Sequence, residues 1–291
     1  MRMPVVVLAA LAGLCWAANP VGPAPFQASA ASSVSATGTS RTPFSLAADD
    51  VSVTSDGTIL VAKGHVAVAY GTLRATSDAL RIHRPTGTAT LTGHVSVTDE
   101  RGRASAQAAT LVVANETRVI RAVLTGHASL ETRSYAVLAD RIVSDRERNR
   151  LTATGGVTVF SQPDLIVTGA VATYDEGPQR AVVHGEGGVR ATIQNRDGRI
   201  RGTWIEVSRA TGTARVHGPV DAEIYDATLT GGDATIDLDR GIAVITGDVT
   251  VSRRRGTLRA DRLTVYYRTK RLVAEGTTHM ALRDREEDST P

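Results

Sequence analysis

Leu60-Val61-Ala62-Lys63-Gly64-His65-Val66-Ala67-Val68 returns, in altered letters, as Ala89-Thr90-Leu91-Thr92-Gly93-His94-Val95-Ser96-Val97 and again as Ala122-Val123-Leu124-Thr125-Gly126-His127-Ala128-Ser129-Leu130. Every second residue through the glycine is small or aliphatic, as in Leu60-Ala62-Gly64-Val66-Val68 and, in the next copy along, Leu151-Ala153-Gly155-Val157-Val159. The residues between are mostly polar: Lys63, His65, Thr92, His94, Thr125, His127, Thr154, Thr246 and Asp248. A period of two marks β-strands with one face toward a core and the other toward water.

The glycine recurs at Gly64, Gly93, Gly126, Gly155, Gly187, Gly218, Gly247 and Gly276, with spacings of 29, 33, 29, 32, 31, 29 and 29. Periodicity of this length identifies a repeat architecture of about eight units, each stacking on its neighbours. A glycine inside a strand weakens it unless the chain bends there or meets another backbone closely, so each long strand is expected to fold over at its glycine into a V with an apolar inside. Large and small residues swap around the glycine from unit to unit, Leu60 with Ala62 and then Ala89 with Leu91, which lets stacked units interdigitate. A second strand type follows each turn, as in Ala75-Thr76-Ser77-Asp78-Ala79-Leu80-Arg81-Ile82 and Ala260-Asp261-Arg262-Leu263-Thr264-Val265. Turn signals such as Arg84-Pro85-Thr86-Gly87, Asn195-Arg196-Asp197-Gly198 and Asp239-Arg240-Gly241 close the strands. The fold class is all-β, elongated, with two bent antiparallel strands in each repeat of 29–33 residues.

Composition narrows the function classes. Among 291 residues aromatics are 4%, the single cysteine is Cys15, and 33 Lys plus Arg stand against 30 Asp plus Glu. This argues against an aromatic-lined cleft, a disulfide scaffold and a zinc ribbon. The basic residues, nearly all arginine, are spread along the chain, so a net charge of +3 is no nucleic-acid footprint. Arg2 and the apolar run 4–18 read as a signal peptide, too short to span a bilayer readily. Cleavage near 17 and cleavage as late as 30 both fit, and an uncleaved inner-membrane anchor is the alternative. Residues 19–43 read as an Ala/Ser/Pro/Gly linker, 44–282 as the repeat domain and 283–291 as a disordered tail.

The unit Gly-polar-Val-x-Val, turn, Ala-Asp-x-Leu/Ile-x-Val/Tyr, turn, repeated over about residues 44–282, resembles the OstA-like family, which includes the lipopolysaccharide-transport proteins LptA and LptC and a domain of LptD. The chain is about twice the usual length of LptA-like proteins, and His stands after the glycine in the first three copies where Asn or Asp is usual. An LptA-like role, an LptC-like role and a composite of both stay open. The resemblance implies a periplasmic β-jellyroll, or β-taco, whose groove carries lipopolysaccharide between inner and outer membranes for outer-membrane assembly. It implies partners that bind by edge-to-edge strand addition, either other jellyroll domains of the bridge or a second copy.

On that reading Val66, Val68, Leu91, Val95, Val97, Leu124, Leu130, Val157 and Val159 line the groove and meet lipid A acyl chains. Val51, Val53, Leu272 and Met280 sit on the two end strands as docking edges, since an open jellyroll leaves strand edges unpaired. No residue is required to do chemistry, and neither cofactor, metal nor nucleic acid is expected. His65, His94 and His127 share a repeat position that could in principle stack as a metal ladder, but imidazole at an exposed bend is ordinarily solvated. Asp78, Asp140 and Asp261 repeat likewise, which suits a structural hydrogen bond better than one acid-base pair. The rival readings are a structural or adhesive β-solenoid of the cell envelope and a solenoid carbohydrate enzyme; scattered carboxylates speak against the latter.

Overall fold

A computed structural model of the chain describes residues 32–36, 44–70, 72–99, 102–114, 118–133, 135–161, 165–254 and 256–282. The apolar N-terminal run and the 283–291 tail lie outside these. The residues gather into two compact units that divide between Val157 and Thr158. The Asp175-Glu176-Gly177-Pro178 stretch, whose composition suits a break, is instead a hairpin turn with Asp175 facing Arg180 across it.

The first unit contains β1 (Ser32–Ala36), β2 (Phe44–Ala48), β3 (Asp50–Val53), β4 (Ile59–Tyr70), β5 (Leu73–His83), β6 (Thr88–Asp99), β7 (Gly102–Ala114), β8 (Arg118–Thr132) and β9 (Tyr135–Asp145); β10 (Arg150–Ser161) runs through the division. β1 forms within the stretch that reads as linker and pairs with β2. The second unit contains β11 (Leu165–Asp175), β12 (Arg180–His184), β13 (Ala191–Asn195), β14 (Gly198–Gly202), β15 (Trp204–Ser208), β16 (Thr213–His217), β17 (Val220–Ile224) and β18 (Ala227–Gly231). It continues through β19 (Asp233–Asp237), β20 (Ile242–Arg253), β21 (Gly256–Tyr266), β22 (Arg271–Glu275) and β23 (His279–Leu282). Every pairing with a described register is antiparallel, between strands close in sequence.

The bends are β-bulges. Lys63 faces Ala79 and Val66 faces Ser77, so three steps on β4 span two on β5 and one residue is extra at the corner. The same slip occurs between Thr125 and Ala128 on β8 and between Thr246 and Val249 on β20. At these corners two successive residues take left-handed backbone: Gly64 at φ 72° with His65 at 45°, Gly93 at 74° with His94 at 45°, Gly247 at 83° with Asp248 at 48°. This accounts for the His, Asp and Gly directly after the glycine at Gly64, Gly93, Gly126, Gly155 and Gly247, because His, Asn and Asp are the side chains that best tolerate that region and Gly156 (φ 56°) tolerates it freely; Pro219 and Thr277, after Gly218 and Gly276, do not adopt it.

One corner departs from the expected pattern. Gly187 and Gly188 are left-handed but lie in a turn off the ladder, where Val189 N–H donates to the Glu186 carbonyl at 3.1 Å. Gly185 instead takes the place beside Thr203, donating its N–H to the Thr203 carbonyl at 2.9 Å. The fifth copy thus turns its corner through a loop between β12 and β13.

Candidate functional site

At most corners a polar side chain from the neighbouring segment stacks against the glycine, while at Gly247 the backbone of Gly232 takes that place. A Cβ on Gly64, Gly93, Gly155 or Gly276 would fall on the carboxylate of Asp49, Asp78, Asp140 or Asp261; at Gly126 the neighbour is Gln107 and at Gly218 it is Thr203. These side chains in turn bind the residue after the glycine. His65 donates from Nδ1 to Asp49 at 2.8 Å, His94 to Asp78 at 2.9 Å, and the Thr277 N–H donates to Asp261 at 2.8 Å. An ionised carboxylate can only accept, which assigns the proton to Nδ1. The repeated aspartates are therefore part of the bend. The pairing with Asp49 raises the His65 pKa above its usual value, first through the hydrogen bond and then through the charge. Among the described residues no three metal-ligating side chains come together.

The inner faces carry the candidate site. In the first unit the ladder aligns Ala62, Leu80, Leu91, Ala109, Leu124 and Ile142 in one row before the corner. Beyond the corner it aligns Leu46, Val68, Ala75, Val97, Ala104, Leu130 and Val137. Small residues interrupt the large ones in both rows, Ala109 between Leu91 and Leu124 in the first and Ala75 and Ala104 on either side of Val97 in the second, which lets the layers interlock. Val66, Val68, Leu91, Val95, Val97, Leu124, Leu130 and Val157 are all buried, and Val159 is partly buried. Ser77, the one polar residue on this inner face near the β4 corner, satisfies its hydroxyl on the Ala79 carbonyl at 3.0 Å.

The second unit repeats the plan. A row of Val167, Ile193, Ile200, Ala222, Leu229, Val251, Leu258 and Met280 crosses one layer. Val183, Ile205, Val216, Ala234, Ile245, Leu263 and Ala274 cross the other. Residues of both layers pack into one core. Between the layers, on the side away from the corners, a crevice of about 60 Å³ opens among Leu165, Ile193, Ile200, Ile224, Ile236 and Tyr267. That is room for about four to six waters.

The rows end uncovered. Val53, which faces Leu60 at the start of the first unit, is 52% exposed, and Met280 and Leu282 on β23 are each 70% exposed. Val51 and Leu272 are half-buried beside them. β3 pairs with β4, and β22 and β23 pair with β21, so β3 in the first unit and the closing strands of the second each leave one backbone edge without a described partner, while in the first unit's other layer β1 covers the edge of β2.

The repeat pattern locates the inward-facing residues and the end strands but not the contacts outside the inner faces. Trp204 stacks on His217 at 3.7 Å between centroids, with His184 on its other side at 6.0 Å, in a row across three strands. Arg199 and Arg201 both bind Glu223, at 2.8 Å and 2.5 Å, and hold its carboxyl below the usual range. Only the alternation of strand registers could have brought these together, and the repeat glycines do not fix it in the fifth copy.

No curated protein matches the chain at a significant level. Among solved structures, LptH of Pseudomonas aeruginosa, described as the LptA-homologous periplasmic component of the conserved lipopolysaccharide transport device, is similar at 13% identity and TM-score 0.27, over 52% of this chain and 95% of its own. Apo AztD of Citrobacter koseri is similar at 9% identity and TM-score 0.15, over 82% of this chain and 95% of its own. Both superimpose too poorly to speak for fold or role. The family model is different in kind: LptA/(LptD N-terminal domain) LPS transport protein matches residues 45–213 and 228–290, most of the repeat region. Bent strands in phase and apolar inner rows agree with that match, and the chain belongs to the LptA/LptD N-terminal family of lipopolysaccharide transport proteins.

Proposed function

We propose that this protein is a periplasmic carrier that passes lipopolysaccharide along its apolar inner faces between the inner and outer membranes, without chemistry of its own. The observation that carries this reading is the continuity of the inner rows within each unit, aliphatic from strand to strand and ending uncovered at Val53 in the first and at Met280 in the second. Acyl chains between the layers would be held by the hydrophobic effect at about 0.8 kcal/mol per buried CH₂. That attraction is nearly the same at every step of an aliphatic row, so it retains lipid without stopping it, and direction must come from outside. The layers as they stand are close-packed, so lipid enters by parting them. The end strands, with Val51 and Val53 on one side and Leu272 and Met280 on the other, are the docking edges for another jellyroll domain or a second copy.

The test is photo-crosslinking to lipopolysaccharide in cells with the photoreactive residue at Val97, whose outward neighbour Ser96 is the control. An adduct at Val97 and none at Ser96 is expected. A folded protein with no adduct at Val97 or Val157 would instead favour a structural solenoid of the envelope, a reading with which the close packing of the rows also agrees.

A further inference from the structure

Next in the chain to Ile224, a wall residue of the second unit's crevice, stands a residue that breaks the local rules. Tyr225 and Asp226 form the two-residue turn between β17 and β18, where Ile224 faces Ala227. Such turns call for Gly, Asn or Asp at left-handed positions, yet Tyr225 sits at φ 56°, an outlier for a bulky side chain. Conformations of this kind persist where the surroundings hold them and cluster at functional sites. The ring is 37% exposed. Its hydroxyl leaves its own layer and donates to the carbonyl of Tyr267, in the turn after β21 on the opposite layer, 42 residues away. Tyr267 is itself fixed, its N–H on the Gly241 carbonyl at 3.1 Å and its hydroxyl on the Asp237 carbonyl at 3.3 Å, and it forms part of the crevice wall. Lys270 Nζ lies 5.1 Å from the centre of the Tyr225 ring, while Gln194, Asn195 and the carboxylate of Asp197 border the crevice itself.

We propose that Tyr225 is a latch on this mouth: it ties the two layers of the second unit together, and its release admits one acyl chain of an anionic lipid, whose head then meets Lys270. The inference rests on the carrier reading and adds where, and past which residue, lipid enters. Ile193, Ile200, Ile224 and Ile236 give the tail an aliphatic wall beside Gln194, Asn195 and Asp197, and Lys270, held at the Tyr225 ring, is the cation that meets the head against the Asp197 charge. The latch is one hydrogen bond and one ring contact, weak enough to open on thermal motion and strong enough to set the rate.

The test uses the full chain with Cys15→Ser and anthroyloxy-stearate, a fatty acid whose emission rises as it leaves water, in stopped flow. Tyr225→Phe keeps the ring and loses the hydrogen bond; loading is expected to be about two- to tenfold faster. A Tyr225→Cys, Tyr267→Cys protein bridged by a short bis-thiosulfonate is expected to load at least about tenfold more slowly until reduced. Lys270→Gln should weaken binding of the fatty acid and leave that of its uncharged methyl ester unchanged, and equal weakening of both would overturn the role of Lys270. Equal loading rates in wild type, Tyr225→Phe and the bridged protein, with binding intact, would overturn the latch and leave the carrier reading standing. Failure of wild type and Tyr225→Phe to bind the probe, together with no adduct at Val97, would overturn both.

Discussion

Placing a methyl group on a corner glycine separates the two demands that the corner makes, left-handed backbone and an empty space above it. Gly156 has only the first: its φ is 56° and nothing lies within 4 Å of where its Cβ would be. Gly156→Ala should cost about 1–2 kcal/mol for the left-handed alanine, less about 0.4–1 kcal/mol recovered from the stiffer unfolded chain. A net loss of about 0.5–1 kcal/mol is expected. Gly93 has both demands: φ is 74°, and its Cβ would land on the Asp78 carboxylate, which must swing away and leave His94. Overpacking adds about 1–3 kcal/mol, and because the Asp78 Cβ, fixed to its own backbone, lies 2.7 Å from the new methyl as well, turning the carboxylate away does not clear the space and the upper half of that range applies. Gly93→Ala should therefore cost about 2.5–4 kcal/mol. In an Asp78→Gly background, which removes that Cβ, the same change should fall back to the Gly156→Ala value. Urea unfolding followed by circular dichroism reads this as a midpoint shift at constant slope. Equal losses at the two glycines, or no recovery in the double variant, would refute the account of the corner.

Burial along one row gives a sharper contrast. Leu229→Ala, fully buried at the middle of its row, should cost about 2–5 kcal/mol, whereas Met280→Ala at the uncovered end should stay within about 0.5 kcal/mol while weakening any strand-addition partner; thermal unfolding and light scattering check the two halves. His65, paired with Asp49, should titrate above its ordinary value of 6.5 in an NMR pH series, and Asp49→Asn should bring it back down. Because the folded value is the higher one, the pairing stabilises fully below the unfolded pKa and is lost as pH rises through the folded one.

The inner rows were legible because a strand exposes alternate faces and the repeat supplies its own register: once Gly64 and Gly93 are corners, Val66, Leu91 and Val97 must face the same way. The pairing of Asp78 with the corner followed from repetition alone. Its necessity did not, since the left-handed backbone at His65 and His94 that explains their residue type is invisible in letters. In the fifth copy the glycine spacing misled, because Gly187 sits two residues beyond Gly185 and a spacing cannot tell an inserted loop from a corner. Tyr225 was unreadable for another reason. Its contact lies outside the repeat, between turns on opposite layers, and its conformation runs against its own propensity.

The ladder also says something about how such a chain assembles. Described partners are close in sequence, with Gly102 and Thr132, 30 residues apart, at the far limit. A strand therefore needs only the repeat before it as a template, and the entropy of closing long loops, which slows most all-β proteins, is largely avoided. Structure can grow one hairpin at a time while later repeats have yet to emerge, so the chain is suited to folding in the order in which it is delivered, and whole repeats of 29 residues could be added or removed without rewriting the registers on either side.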